Sequence, residues 1–554
     1  MENRLFGPPG TGKTTWLAER SIPKAVDKHG SDKVVVTSFT KAAAQEVTGR
    51  GLLVNDNGVG TLHALCYRGL GFPELMTKKI KEWNQAYPEF YISGSKVSSL
   101  DEGGGVDAEG NGQGDKLLAK LNIYRSKLIP EEMWTTDVQH FNQIYKYHKY
   151  DIHTKDFTDL IVDAINEDLP PPNDATMMFV DEAQDLTPLQ LKLIRKWGKP
   201  MKHYMLVGDD DQTIYSFTGA SPDAFLKPPV PDKQKMILGQ SYRVPRQVLE
   251  KSMDLIEQVQ IREPKNYSPR VDKDGNTVEG LVTSLPEHFN EPIDIINELN
   301  ENVQAGKTSM ILTSCSYMLD TIKKELILAK IPFGNKYRTT RGDWNPLAPG
   351  GHNRISARDL LHNFLTTGID AEFWNIHQFL MWTKNIRVCN TGIKYKTGKK
   401  VLKKLQKMLE ENEPGMHSCR DVIDMVLTPD AKKMALKRDV QWFMENVATK
   451  RLAGLDFPIT IYNKYQDINV LNQQPLVTIG TIHSVKGGQA DYVYLYPDIS
   501  YAAEEERQKT LNAEDALKRL FYVGMTRARE KLITMEPYSK NTRQGNKPVL
   551  YVRF

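Results

Sequence analysis

Few backbones can satisfy the string Gly7-Pro8-Pro9-Gly10-Thr11-Gly12-Lys13-Thr14. It is a complete G-x-x-x-x-G-K-[ST] pattern, in which glycines let successive N–H groups curl round a phosphate at the start of a helix. Lys13 then reaches the β and γ oxygens, and the Thr14 hydroxyl serves as a Mg²⁺ ligand, with Thr15 following on the same helix. Such a loop needs a strand ahead of it and a helix behind it, so the chain is expected to be α/β. The short apolar stub Leu5-Phe6 is the only strand material in front. With six residues ahead of Gly7, no signal peptide is expected.

Later runs fit the same architecture. Val34–Thr37, Thr176–Val180, His203–Val207, Ser309–Thr313, Val477–Thr481 and Tyr492–Leu495 are short, apolar and closed by polar or glycine residues, as buried parallel strands are. With 554 residues, 40% hydrophobic and 26% charged, the chain has material for about three or four domains. No apolar run reaches the ~20 residues of a membrane helix, so a cytoplasmic protein is expected. Cys66, Cys315, Cys389 and Cys419 stand far apart, which suggests neither a zinc site nor a disulfide framework. The net charge of +4 does not by itself indicate a nucleic-acid partner. Between Ser95 and Asp115 the sequence turns rich in Gly, Ser, Asp and Glu, and a mobile surface loop is expected there. Pro170-Pro171-Pro172 and Asn345–Gly351 mark further boundaries.

Phe179-Val180-Asp181-Glu182 is an apolar strand ending in paired carboxylates, which a phosphate-loop hydrolase needs opposite its loop. Asp181 is assigned to the metal with Thr14, and Glu182 to the general base. The string Asp181-Glu182-Ala183-Gln184-Asp185, followed by Val207–Phe217, resembles motifs II and III of the UvrD/Rep family of superfamily 1 DNA helicases. Thr37–Ala44, Gly60–His63 and Gln240–Arg243 resemble motifs Ia, Ib and IV. Thr478–Tyr492 and Arg519–Arg529 resemble motifs V and VI, all in the family's order.

The resemblance implies two RecA-like P-loop NTPase domains, each with a mainly helical inserted subdomain. The first motor domain would be 1–90 with 173–235, interrupted by 91–172; the second would be 236–345 with 466–554, interrupted by 346–465. It implies ATP and Mg²⁺ as cofactors and single-stranded DNA and single/double-strand junctions as partners, with a monomer or weak self-association. Arg243 and Arg527 would stabilise charge on the transferring phosphoryl group, and Gln212 would sense the γ-phosphate. Tyr242 would stack on adenine, while Lys486 and Gly487 line the cleft from the other side. Phe39, Thr61, His63, Tyr215, Phe217, Thr481 and His483 would face single-stranded DNA, and Gly392 and Lys394 would lie in a hairpin touching duplex backbone.

Taken residue by residue, core packing remains open for each aromatic, a structural role for each histidine and a plain basic loop for the 390–400 segment. The alternating run Tyr145–Tyr150 fits either DNA stacking or a solvated helix face. The expected activity is 3′ to 5′ translocation with duplex separation, and the alternative is a translocase that displaces proteins with little unwinding. Two departures from the family stand out. Only six residues stand ahead of the loop, where the family's glutamine-bearing segment is expected, so that contact is expected to be missing or supplied elsewhere, which leaves the base preference open. In motif V, Gly488-Gln489 replaces the usual Leu-Glu.

Overall fold

The computed structural model describes residues 1–39, 54–93, 112–338, 343–350, 355–366, 372–410, 418–452, 454–538 and 550–554. These form two compact units, Met1–Leu285 with Thr481–Phe554, and Pro286–Gly480.

The first unit is built on a parallel sheet. Its strands are β1 (Glu2–Phe6), β2 (Val34–Ser38), β3 (Val59–Thr61), β4 (Met177–Asp181), β5 (Tyr204–Gly208) and β6 (Lys235–Ile237). They run in the order β3-β2-β4-β5-β1-β6, with β1 paired to β5 and β6, and β2 to β3 and β4. The apolar stub of the sequence is thus a full strand that includes a buried Arg4. Arg4 is tolerated there because its guanidinium meets the Glu2 carboxylate at 2.6 and 2.8 Å and the carbonyls of Leu226 and Pro228. β2 is buried along its whole length and carries three consecutive valines, the pattern of a strand covered on both faces.

The same unit holds β7 (Leu281–Leu285), β11 (Ala490–Leu495) and β12 (Ala528–Met535), with β12 pairing in parallel with both others. β12 was not legible as a strand because it opens on Ala-Arg-Glu-Lys, whose polar side chains are half-buried.

Helices between β3 and β4 form a satellite core. The helix Gln113–Ser126 begins inside the glycine-rich stretch expected to be a loop, while 94–111 lie outside the described residues. Trp83 is fully buried; its indole N–H donates to the Phe90 carbonyl at 2.8 Å, and rings of Tyr87, Phe141, Tyr145 and His148 surround it. Neither expectation for the Tyr145–Tyr150 run holds as a whole. On the helix Thr136–Asp151, Tyr145, His148 and Lys149 turn inward while Tyr147 and Tyr150 are exposed. Lys149 is buried because its ammonium meets Asp156 at 2.6 Å and also Asp159. Arg125 meets the same two carboxylates at 3.0 and 2.5 Å. Asp156 and Asp159 also form the capping box of the helix Phe157–Asn166, so one cluster ties three helices.

The second unit carries β8 (Ser309–Thr313), β9 (Phe333–Gly334) and β10 (Val477–Thr481), of which β10 and β9 pair in parallel. Its helical part is organised by aromatics: Phe364 stacks on Phe443 at 4.3 Å, and Trp374 lies 4.9 Å from Trp382. Among the described residues no helix is long and apolar enough to cross a membrane.

Trp83→Ala removes the centre of the satellite core, at a cost of about 3–5 kcal/mol. Amide exchange should accelerate across 113–166 and stay unchanged in β1, β2, β4 and β5. Uniform exchange across both regions would show that the helices and the sheet open as one unit.

Candidate nucleotide site

The carboxyl ends of β1, β4 and β5 converge, and the loops that leave them supply most of the site. Gly7, directly after β1, donates its N–H to the Gly208 carbonyl at the end of β5, 3.0 Å away. Gly10 and Gly12 both have φ of +75°, a conformation that L side chains rarely adopt. Gly10 is required a second time, since an added Cβ would lie 2.5 Å from the Arg243 Cβ. Gly12 precedes the helix that begins with Lys13, so the loop points free N–H groups along a helix start. The Lys13 ammonium folds back onto the Gly7 carbonyl, over the loop it serves.

Across from the loop, the Thr14 hydroxyl donates to an Asp181 carboxylate oxygen at 3.2 Å. Asp181 is buried at the end of β4, and Glu182 follows in the left-handed region, with φ of +51°. That turn separates the two side chains and their titration. Burial and the neighbouring Glu182 charge push Asp181 up to about 7. Burial raises Glu182 too, although its side chain is 28% exposed, but Lys486, Lys13 and a 2.5 Å hydrogen bond from Gln184 hold it below the usual carboxylate value. Adjacent acids with opposite shifts are the arrangement from which a metal ligand and a base are made.

The Gln212 amide is held at both ends. Its Nε2 donates to Asp209 at 2.7 Å, and its Oε1 accepts from Arg527 Nη2 at 3.3 Å. Arg527 is 1% exposed and donates also to the carbonyls of Val523 and Gly488, at 2.8 and 3.2 Å. Burial and the nearby Arg243 lower its pKa to about 9, so it remains charged at neutral pH. The Ser241–Arg243 segment is bound to the loop itself: the Tyr242 N–H donates to the Gly10 carbonyl at 2.8 Å, and the Ser241 hydroxyl to the Pro9 carbonyl at 3.2 Å. The Tyr242 ring is exposed and lies 3.9 Å from where a Gly12 Cβ would be. Arg243 Nε donates to Gln489 Oε1 at 3.0 Å.

All of these residues fall within the first unit. Residues 3–218 match the family described as an AAA domain, and 393–536 match the UvrD-like helicase C-terminal domain. The chain belongs to the UvrD-like superfamily 1 helicases. It is 24% identical to a probable DNA helicase II homolog of Mycoplasma capricolum, across 96% of this chain and 81% of that protein. A protein of the same name from Mycoplasma genitalium is 25% identical, across 96% and 82%. The ATP-dependent DNA helicase Rep of Buchnera aphidicola is 24% identical, across 78% and 74%.

Against this UvrD-like frame, the residues expected in the site divide by place. Lys13, Thr14, Asp181, Glu182, Gln212, Arg243 and Arg527 come together, with Tyr242 at the rim. Lys486 stands beside the acids: its ammonium lies 3.8 Å from a Glu182 carboxylate oxygen, pairs with Asp185, donates to the Gln212 carbonyl at 3.2 Å and lies 5.0 Å from the Tyr215 ring centroid. Gly487 follows with φ of +83° and open space beside it. The departure at motif V has a physical use, since the neutral Gln489 amide accepts from Arg243.

Phe39, Tyr215, Phe217 and His483 form one ring cluster, with centroids 5.1 to 6.0 Å apart. Tyr215 is only 4% exposed, so in this conformation it packs among rings instead of presenting a stacking face. The His483 Nε2 lies 3.1 Å from the Ile214 carbonyl, and burial lowers its pKa to about 4; its ring is therefore neutral, with the proton on Nε2. Phe39, His63 and Phe217 line a cavity of about 130 Å³ with Phe157 and Asn122. Thr61 caps the helix Leu62–Gly69, and the Thr481 hydroxyl accepts from the Ser484 N–H at 3.3 Å. The remainder of motif Ia, from Thr40, lies outside the described residues.

In the second unit the Gly392 carbonyl accepts from Thr428 N–H at 3.1 Å, and the Lys394 ammonium donates to the Asp424 carbonyl. The exposed cations of that segment are instead Lys396, Lys399, Lys400, Lys403 and Lys404. Sequence reasoning missed Asp185, Asp209, Ser241, Arg262, Lys265, Tyr267 and Gln489. Asp185, Asp209, Ser241 and Gln489 sit inside motif strings, the last noted there only as a departure; Lys265 in Glu263-Pro264-Lys265 carries no local signal.

Burial also pushes Asp185 up to about 7, against the pull of Lys486. Between about pH 4 and 7 the folded protein keeps protons on Asp181 and Asp185 that the unfolded chain releases, so their contribution to stability falls as pH rises through that window. In nucleotide-free protein, Asp181→Asn should flatten the decline of Tm across that range. An unchanged slope would remove Asp181 as its source.

Proposed function

We propose that this chain is an ATP-dependent DNA helicase that moves 3′ to 5′ on single-stranded DNA and separates duplex. The observation that carries the reading is the hydrogen-bonded continuity from Asp209 through Gln212 to Arg527, beside the phosphate loop and the Asp181/Glu182 pair. The names of its relatives, which call them DNA helicases, support the nucleic-acid half. The two motor domains are taken as 1–90 with 173–235 and 236–345 with 466–554.

In this reading the N–H groups of Gly10 to Lys13 and the Lys13 ammonium hold the β- and γ-phosphates of ATP, with Tyr242 against the base. Thr14 and Asp181 suit Mg²⁺, a hard cation that takes one or two protein oxygens and completes its shell from phosphate and water. Their fit rests on a hydroxyl 3.2 Å from a buried carboxylate that, among the described residues, closes no salt bridge. When bound, Mg²⁺ neutralises charge on the phosphate oxygens. Glu182, kept ionised, takes the proton of the attacking water, while Gln212, Arg243 and Arg527 meet charge on the γ-phosphate. Lys486 spans from Asp185 to the Tyr215 ring, and so connects the acids to the aromatic cluster that meets DNA bases.

Glu182→Gln should lower DNA-stimulated ATP turnover about 10²–10⁴-fold while leaving ATP affinity within a few-fold. Duplexes with a 3′ or a 5′ single-stranded tail test the rest, with Lys13→Ala as the inactive control. Unwinding of only the 3′-tailed duplex is expected. Failure on both tails with DNA-stimulated ATPase intact would favour the protein-displacing translocase, and absence of ATPase would overturn the reading.

A further inference from the structure

Three aspartates in a row, Asp209, Asp210 and Asp211, leave the end of β5 with exposures of 0, 0 and 1%. Three adjacent carboxylates cannot stay ionised out of water without cations in contact. Lys265, itself 1% exposed at its side chain, touches all three, at 3.0, 2.6 and 2.9 Å. Arg262 closes a two-pronged contact on Asp211 at 2.7 and 3.0 Å. Arg519 donates to the Asp210 carbonyl at 3.0 Å and to that of Ile261, which fastens the segment carrying Arg262 and Lys265 to the same turn.

The cluster has an outlet toward the nucleotide. One Asp209 oxygen meets Lys265, and the other accepts from Gln212 Nε2 at 2.7 Å. At the far end of that amide, Oε1 accepts from Arg527. A carboxylate on the nitrogen side and a guanidinium on the oxygen side allow only one amide orientation, because a flip would set acceptor against acceptor and donor against donor. Asp210, by contrast, gives its carboxylate to Lys265 and to the Glu263 N–H at 2.8 Å, with no contact to Gln212.

We propose that Lys265 is a positioning residue for the nucleotide site: by holding Asp209 it fixes the Gln212 amide, and with it the group that meets the terminal phosphate, beside Arg527. This rests on the ATPase reading above. It differs from a purely structural role in one consequence. If Lys265 only neutralises buried charge, removing a carboxylate along with it restores everything; if it positions Asp209, such a change restores the fold and leaves the site impaired.

Lys265→Met and the charge-balanced Lys265→Met/Asp210→Asn are compared with wild type for Tm, DNA-stimulated kcat and KM, and affinity for ADP and for a non-hydrolysable ATP analogue. The expected result is a lowered Tm in the single variant that largely recovers in the double. In both, kcat should fall about tenfold or more and affinity for the triphosphate analogue several-fold, with ADP affinity unchanged. Should the single variant fail to fold, the double decides alone. Recovery of kcat together with Tm, or equal loss of ADP and triphosphate affinity, overturns the positioning role. Absence of ATP turnover in wild type would instead overturn the ATPase reading.

Discussion

Charge taken out of water has to be answered by charge or by hydrogen bonds, and this requirement organises the first unit. Arg4 inside β1, Lys149 under the helical insert, Lys265 under three aspartates and Arg527 beside Gln212 are four solutions to it. In three of them a cation is held by groups distant in sequence, Arg4 by residues 222 and 224 positions away and Arg527 by Gln212 at a separation of 315, while Lys149 is held from the next helix, 7 and 10 positions on. The apolar cores supply cohesion. These pairs supply register, because a displaced carboxylate would leave a buried ion without its partner.

The same logic separates Asp181 from Glu182. The two are neighbours in the chain, Asp181 fully buried and Glu182 partly so, yet one faces a hydroxyl and the other faces lysines and an amide. Sequence spacing set the pair at the end of a strand; the left-handed backbone at Glu182 turned them to different surroundings. The opposite shifts of the two acids therefore trace to where the backbone at Glu182 sends each side chain more than to residue type.

How much of this was legible beforehand depends on whether the information was local. The phosphate loop, the strand before Asp181 and the motif strings could be read because glycine spacing, apolar runs and strand ends are short-range signals. The boundaries of β2, β4 and β5 differ from their apolar runs by about one residue, which reflects where hydrogen bonding ends and polarity does not. β1 was seen only in part because Arg4 interrupts its apolar character, and the partners that bury it lie far along the chain. Half of the Tyr145–Tyr150 run turned inward for a similar reason: Asp156 and Asp159, which hold Lys149, belong to the next helix. Lys265 was invisible, since nothing in Glu263-Pro264-Lys265 announces three distant carboxylates.

The contact between Arg243 and Gln489 carries a consequence for conditions in solution. An amide carbonyl has a dipole but no net charge, so its hold on the guanidinium neither titrates nor weakens greatly when salt screens the surroundings. The glutamine brings a dipole to that arginine where an acid would bring a charge. Ionic strength therefore bears on an anion's approach to Arg243 more than on the Arg243–Gln489 bond itself.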